Sequence, residues 1–224
     1  MKIENIPITV KKKNIKHMYI RILPPNGEVK VSAPLSIPDE EIVKFINSKK
    51  EWILKKQKYI LENDIEPPLK YDNGEKHYVW GEEFGLQLIS NSTVKHVLID
   101  REKSILYLPI SKRSTIEKRK NILNEFYRKE LKSAIPNVLT KCTKIVGRKP
   151  KDVGVRKMKN WGNCKQDGGI TLSLNLAKKD PECLEYVMIH ELCHLIEFNH
   201  GKNFKKLMDK NCPNWKVIKK RLNE

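Results

Sequence analysis

With 224 residues, 39% of them apolar, the chain can close a hydrophobic core without disulfide help, as one large domain or two small ones. The cysteines, Cys142, Cys164, Cys183, Cys193 and Cys212, are odd in number and contain no CxxC pair, which argues against a disulfide framework and for a reducing compartment. A formal charge of +18 at pH 7 would attract polyanions such as nucleic acid, yet lysine is spread over nearly every segment and arginine clusters with interleaved aromatics are missing, so the charge reads first as a solvated surface.

The opening stretch MKIENIPITVKKKNIKHMYI alternates apolar and polar residues and lacks a continuous apolar run of signal-peptide length. No later run approaches a membrane span, so a soluble cytoplasmic protein is expected. ITVKKKNIKHMYIRIL and EVKVSAP alternate with period two around PPNG and predict a β-hairpin. Pro38-Asp39-Glu40-Glu41 then starts a helix expected to run to Ile60 and to end by Glu66-Pro67-Pro68. HYVWGEEFGLQLIS and HVLIDREKSILYLPIS alternate again and predict antiparallel strands. Residues 1–112 are therefore expected to form a β-strand and helix module without a cluster that suggests chemistry. His17, His77 and His96 stand alone on these strands and are assigned no role.

A second domain, 113–224, opens with a helix from Ile116 to about Val146, expected to be interrupted at Pro136. DVGVRKMKNWGNC and GGITLSLNLA predict short strands around a glycine-rich turn. Asp180-Pro181 offers an N-cap and a first-turn proline for the helix that follows, and segments at NFKKLMDK and Trp215 to Leu222 close the chain. No internal repeat is visible. The fold class read from these elements is α+β.

The helix expected from Leu184 to Phe198 is apolar around most of its circumference, and its polar residues gather. His190 and His194 lie about 40° apart, with Glu197 beside them and Glu191 flanking. Polar side chains on a buried helix cost roughly 1–3 kcal/mol each if unpaired, so they must face partners, a solvated cleft or a metal. Histidines at i and i+4 can reach one Zn²⁺, and the glutamate after the first sits near the metal's open side. Such a site would activate water and polarise a carbonyl, with Glu191 as the general base. A third ligand is needed. His200 is the leading candidate if Asn199, in a left-handed conformation, and Gly201 bend the chain back; Glu197 and Asp209 are the competing donors.

Three blocks resemble the YgjP-like zinc metallopeptidases, relatives of the SprT-like and WLM metallopeptidases. RKMKNWGNC is similar to the family's tryptophan-glycine-serine-cysteine element, with Asn163 in place of the serine and Asn160 in place of an arginine; GGITLSLNLA is similar to its strand; HELCHLIEFNHGKNF looks like its HELxHxxxxNHxxxF. The resemblance implies a zincin-like catalytic domain with one Zn²⁺ per chain on His190, His194 and His200, Glu191 as base, and a peptide or protein substrate. A metzincin is not expected, because Glu197 stands where that group has its turn glycine. An extended substrate could add as a strand along Ile170 to Leu176, including Ile170, Leu172 and Leu174, with Trp161 and Gly162 near it or packing its base. Cys164 is an alternative ligand. The competing functions are a nucleic-acid-associated metalloprotein, as SprT-like relatives suggest, and a zinc amide hydrolase of a small molecule.

Overall fold

Period-two alternation at the start of the chain folds as a four-stranded sheet of β1 (Lys2–Ile3), β2 (Ile6–Lys13), β3 (Tyr19–Leu23) and β4 (Glu28–Pro34), in the order β1-β2-β4-β3. The computed structural model describes residues 2–3, 6–63, 65, 67–90 and 93–223, and divides into two compact units, Met1–Leu69 and Lys70–Glu224. In the first unit, β3 and β4 form the hairpin that PPNG predicts, with Leu23 opposite Glu28. The stretch before PPNG is two strands rather than one, and β2 pairs parallel with β4. Ile8, Val29, Val31 and Ala33 pack under α1 (Asp39–Ser48) and α2 (Lys50–Glu62) against Ile42, Ile46 and Ile53. A single helix was expected here. It breaks at Lys49 (φ −112°, ψ 8°), next to Ser48, whose Oγ donates to Phe45 O at 2.8 Å and so competes with the helical ladder. The helix ends at Glu62; Glu66 lies outside the described residues.

The second unit opens with β5 (Lys76–Val79), β6 (Glu82–Ser90), β7 (Leu98–Asp100) and β8 (Ile105–Ile110), in the order β5-β6-β8-β7. The hairpins β5–β6 and β7–β8 are antiparallel as expected, but β6 and β8 join them in parallel. This is the arrangement of the first sheet. One four-strand topology therefore occurs twice, once in each unit, without a sequence repeat, because pairing needs only matched alternation and not matched identities. Val79, Phe84, Leu86, Leu106 and Leu108 bury their side chains with Leu123, Tyr127 and Leu131 of α3 (Ile116–Val146). The second sheet thus belongs with the long helix, and the units part at Leu69 and Lys70 where the sequence suggested 112 and 113.

Thr115 caps α3 by accepting from the Lys118 N–H, and Gly147, at φ 74°, ends it. Pro136 does not interrupt it. Both Pro136 and Lys132, whose carbonyl loses its partner, are exposed, so water can serve that oxygen. β9 (Val153–Arg156), β10 (Gly162–Cys164) and β11 (Ile170–Ser173) form a third sheet in the order β10-β11-β9. A 3-10 turn at Leu174–Lys178 leads to α4 (Pro181–Cys193), α5 (Lys202–Asn211) and α6 (Trp215–Asn223). The start of α4 is held against the second sheet: a Cβ on Gly81 (φ 85°) would fall 1.9 Å from Asp180 Oδ1, so only glycine fits that turn.

His77 lies in this core, 2% exposed, stacked on Tyr71 at 5.7 Å, with no hydrogen-bond partner for Nε2. Glu75 is 3.8 Å away, too far for a hydrogen bond. Burial, then the Lys178 charge, lowers the His77 pKa from 6.5 to about 4. The unfolded chain therefore binds one more proton between those values, so the contribution is complete above pH 6.5 and is lost as pH falls toward 4. Urea unfolding of the full chain from pH 7 to pH 4 is expected to show a loss of stability, and His77→Gln should remove up to about 3 kcal/mol of that dependence.

Candidate metal centre

α4 is buried on nearly every side: Leu184, Val187, Met188, Ile189, Leu192 and Cys193 are each at most 2% exposed. It is shorter than expected. The helix stops at Cys193, and His194 follows in a helical conformation (φ −66°, ψ −19°), so the one-turn offset from His190 survives and the two rings lie 4.9 Å apart. The chain then turns through Leu195 N–H to Leu192 O, Ile196 N–H to Cys193 O and Glu197 N–H to Cys193 O. A tight turn centred on His200, closed by Gly201 N–H to Asn199 O at 2.8 Å, brings its ring back. The left-handed Asn199 expected from the sequence is not used: Asn199 is not among the residues with positive φ. Gly201 (φ −71°) caps α5 in an extended conformation, and a Cβ there would meet nothing within 4 Å.

His200 Nε2 lies 3.0 Å from His190 Nε2, and the rings of His194 and His200 meet edge to face at 4.6 Å. One ligand atom from each of the three histidines falls within 4.8 Å of the others, and among the described residues they form the one such group of metal-ligand side chains. His194 Nδ1 faces Glu197 O at 3.2 Å, a bond that assigns the proton to Nδ1 and leaves Nε2 as the free donor atom. Burial, then the neighbouring His194 and His200, lowers His190 from 6.5 to about 3, and burial lowers His194 as well. Both rings are thus held neutral, the form in which an imidazole can bind a metal. The competing third ligands are engaged elsewhere. Glu197 orients His194 through its backbone carbonyl while its carboxylate accepts from Asn199 N–H, and Asp209 Oδ1 accepts from Trp215 Nε1 at 2.8 Å. Cys164 Sγ donates to Lys165 O and joins no metal-ligand group among the described residues.

Glu191 is 4% exposed and lies against β10. A Cβ on Gly162 would sit 2.4 Å from Glu191 Oε1, so the glycine is what admits the carboxylate. Burial raises the Glu191 pKa from 4.5 to about 7, against a backbone hydrogen bond from Cys164 that lowers it. The bonds Ser173 N–H to Trp161 O and Lys165 N–H to Gly169 O show that residues 161 and 165 face β11. By antiparallel alternation, the main-chain groups of Gly162 and Cys164 point to the free edge beside Glu191. The strand expected to take the substrate, β11, is central and paired on both sides, and Ile170, Leu172 and Leu174 are core residues at most 2% exposed. The available edge is β10, next to it.

A cavity of about 430 Å³ joins these groups, lined among others by Trp161, Gly162, the three histidines and Glu191. Trp161 Nε1 donates to Asn223 Oδ1 at 3.1 Å, tying the residue before β10 to the end of α6. Phe204, 3% exposed on α5, stacks on His194 at 4.5 Å and meets His190 and His200 edge-on. Phe204 and the α6 residues Lys219, Leu222 and Asn223 are parts of the site that sequence reasoning left without a role. Phe204 is the last residue of the HELxHxxxxNHxxxF pattern; nothing in the spacing pointed to α6.

A family model described as the YgjP-like metallopeptidase domain matches residues 16–224. The chain belongs to the YgjP-like metallopeptidase family. It is a hydrolase that acts on peptide or protein and needs a divalent metal, and among the described residues no helix is long and apolar enough to cross a membrane. No curated protein matches it. Among solved structures, it is similar to the metallopeptidase zymogen abylysin of Pyrococcus abyssi, with 26% identity over 39% of this chain and 90% of that one and a TM-score of 0.37.

The residues present fit such a metal. Two imidazole nitrogens bound tetrahedrally at 2.0–2.1 Å stand roughly 3.3 Å apart, close to the spacing of His190 and His200, and the neutral rings offer lone pairs. Gly162→Ala should push Glu191 out of place while leaving the histidines. Peptide cleavage is expected to fall about 10²-fold with metal content retained, measured by turnover and by metal analysis of the same sample.

Proposed function

We propose that this metallopeptidase holds one Zn²⁺ per chain on His190, His194 and His200 and hydrolyses peptide bonds with Glu191 as general base. The observation that carries the reading is the adjacency of a buried carboxylate to a cluster of three imidazoles, all opening into one cavity. A Zn²⁺ on that triad supplies Lewis acidity, making water easier to deprotonate and a carbonyl easier to attack.

The chain's own residues do the rest. His194 is oriented by its bond to Glu197 O, and Phe204 braces the three rings. Glu191 takes a proton from the attacking water and returns it to the leaving amine; burial raises its pKa, which makes the carboxyl a better proton acceptor than an exposed glutamate. The Cys164 backbone bond fixes the carboxylate, and the close approach to Gly162 leaves it little room to rotate away. The free edge of β10 suits an extended peptide, which can pair with Gly162 through its main chain; this favours peptide over nucleic acid or a small amide.

Zinc analysis of the purified chain is expected to give one ion per chain. Glu191→Gln should keep that ion and lower peptide cleavage by on the order of 10²–10⁴, whereas His200→Ala should lower the affinity for the ion itself. Full metal content with unchanged cleavage in the Glu191→Gln protein would remove Glu191 as the base.

A further inference from the structure

α6 supplies part of the cavity wall, and several contacts hold it in place. Ile218 and Leu222 are buried in the core of the second unit. Arg221 pairs with Glu182 and, at 3.7 Å, with Asp180 at the start of α4. Asn223 forms a clamp: its Oδ1 accepts from Trp161 Nε1 at 3.1 Å and its Nδ2 donates to Lys219 O at 2.8 Å.

Lys219, Leu222 and Asn223 are spaced i, i+3, i+4 and present one helix face to the cavity. Leu222 anchors that face and Asn223 is engaged by the clamp. Lys219 brings an exposed ammonium, 5.9 Å from the centre of the Trp215 ring, and among the described residues no carboxylate pairs with it. The lining residues have one acidic side chain, Glu191, and, histidines aside, one cationic side chain, Lys219. Apart from a metal on the histidines, a peptide lying in this cavity therefore meets one cationic side chain on its wall, with hydrogen-bonding donors and an aromatic face around it.

We propose that Lys219 binds a carboxylate of the substrate and so selects which peptides the cleft accepts, an inference that rests on the peptidase reading above. Two sources share this chemistry: an acidic side chain near the scissile bond and a free C-terminal carboxylate. Direct binding separates them without relying on turnover. Fluorescent peptides carrying glutamate or glutamine at successive positions, each with a free or an amidated C-terminus, are titrated into the zinc-loaded full chain bearing E191Q, and into the same chain bearing E191Q and K219Q. One carboxylate source is expected to bind about fivefold tighter than its neutral counterpart, with the preference weakening in salt, absent with K219Q and reversed with K219E. The ratio is internal to each protein, so a loss of active fraction cancels. Equal affinity for all the peptides, a preference that survives K219Q, or no saturable binding overturns the proposal. Failure of the peptidase reading shows separately, as peptides that the wild-type chain binds but does not cut.

Discussion

Burying Glu191 beside imidazoles at the end of an apolar helix is the constraint around which the second unit is arranged. A carboxylate that is 4% exposed loses most of its hydration, and its pKa rises toward neutrality in consequence. The fold answers from outside the helix. β10 delivers the Cys164 N–H, and Gly162 withholds a side chain at the one place where a Cβ would collide with the carboxylate. The third sheet, short as it is, therefore does more for the site than its size suggests: its central strand is core and its edge strand holds Glu191.

The same logic separates what could be read from the sequence and what could not. His190, Glu191 and His194 were legible because helical spacing and polarity on an apolar background are local properties of the chain. His200 was legible as a candidate, but its route was not: the bend uses a tight turn centred on the histidine, in place of a left-handed asparagine. Turn geometry at that scale depends on where α5 begins and on the packing of Phe204, which a pattern of residue types does not encode.

Strand order was the least accessible part. Alternation announced β2 to β8, yet it says nothing about which strands are neighbours, so the parallel pairs β2–β4 and β6–β8 were missed, as was the central position of β11. The compact units part at Leu69 and Lys70, away from the expected 112 and 113, for a related reason. Residues 76–110 look like the strands before them, and only their burial against α3 assigns them to the second unit. α6 was read as a closing helix because its contribution comes from contacts with Trp161 and α4 that are remote in sequence.

The three histidines lie within an eleven-residue stretch, 190–200, while the groups that hold Glu191 come from 162–164 and the clamp on Trp161 comes from Asn223. The histidine cluster and the niche for the carboxylate are thus encoded at different ranges of the chain. Closing the short loop from His190 to His200 costs little entropy once α4 and α5, with Phe204, are in place, whereas the niche for Glu191 forms only when β10 has docked as well. Damage confined to β10 would therefore disturb the seat of Glu191 and leave the three imidazoles together, so that metal content alone would be a poor measure of an intact site.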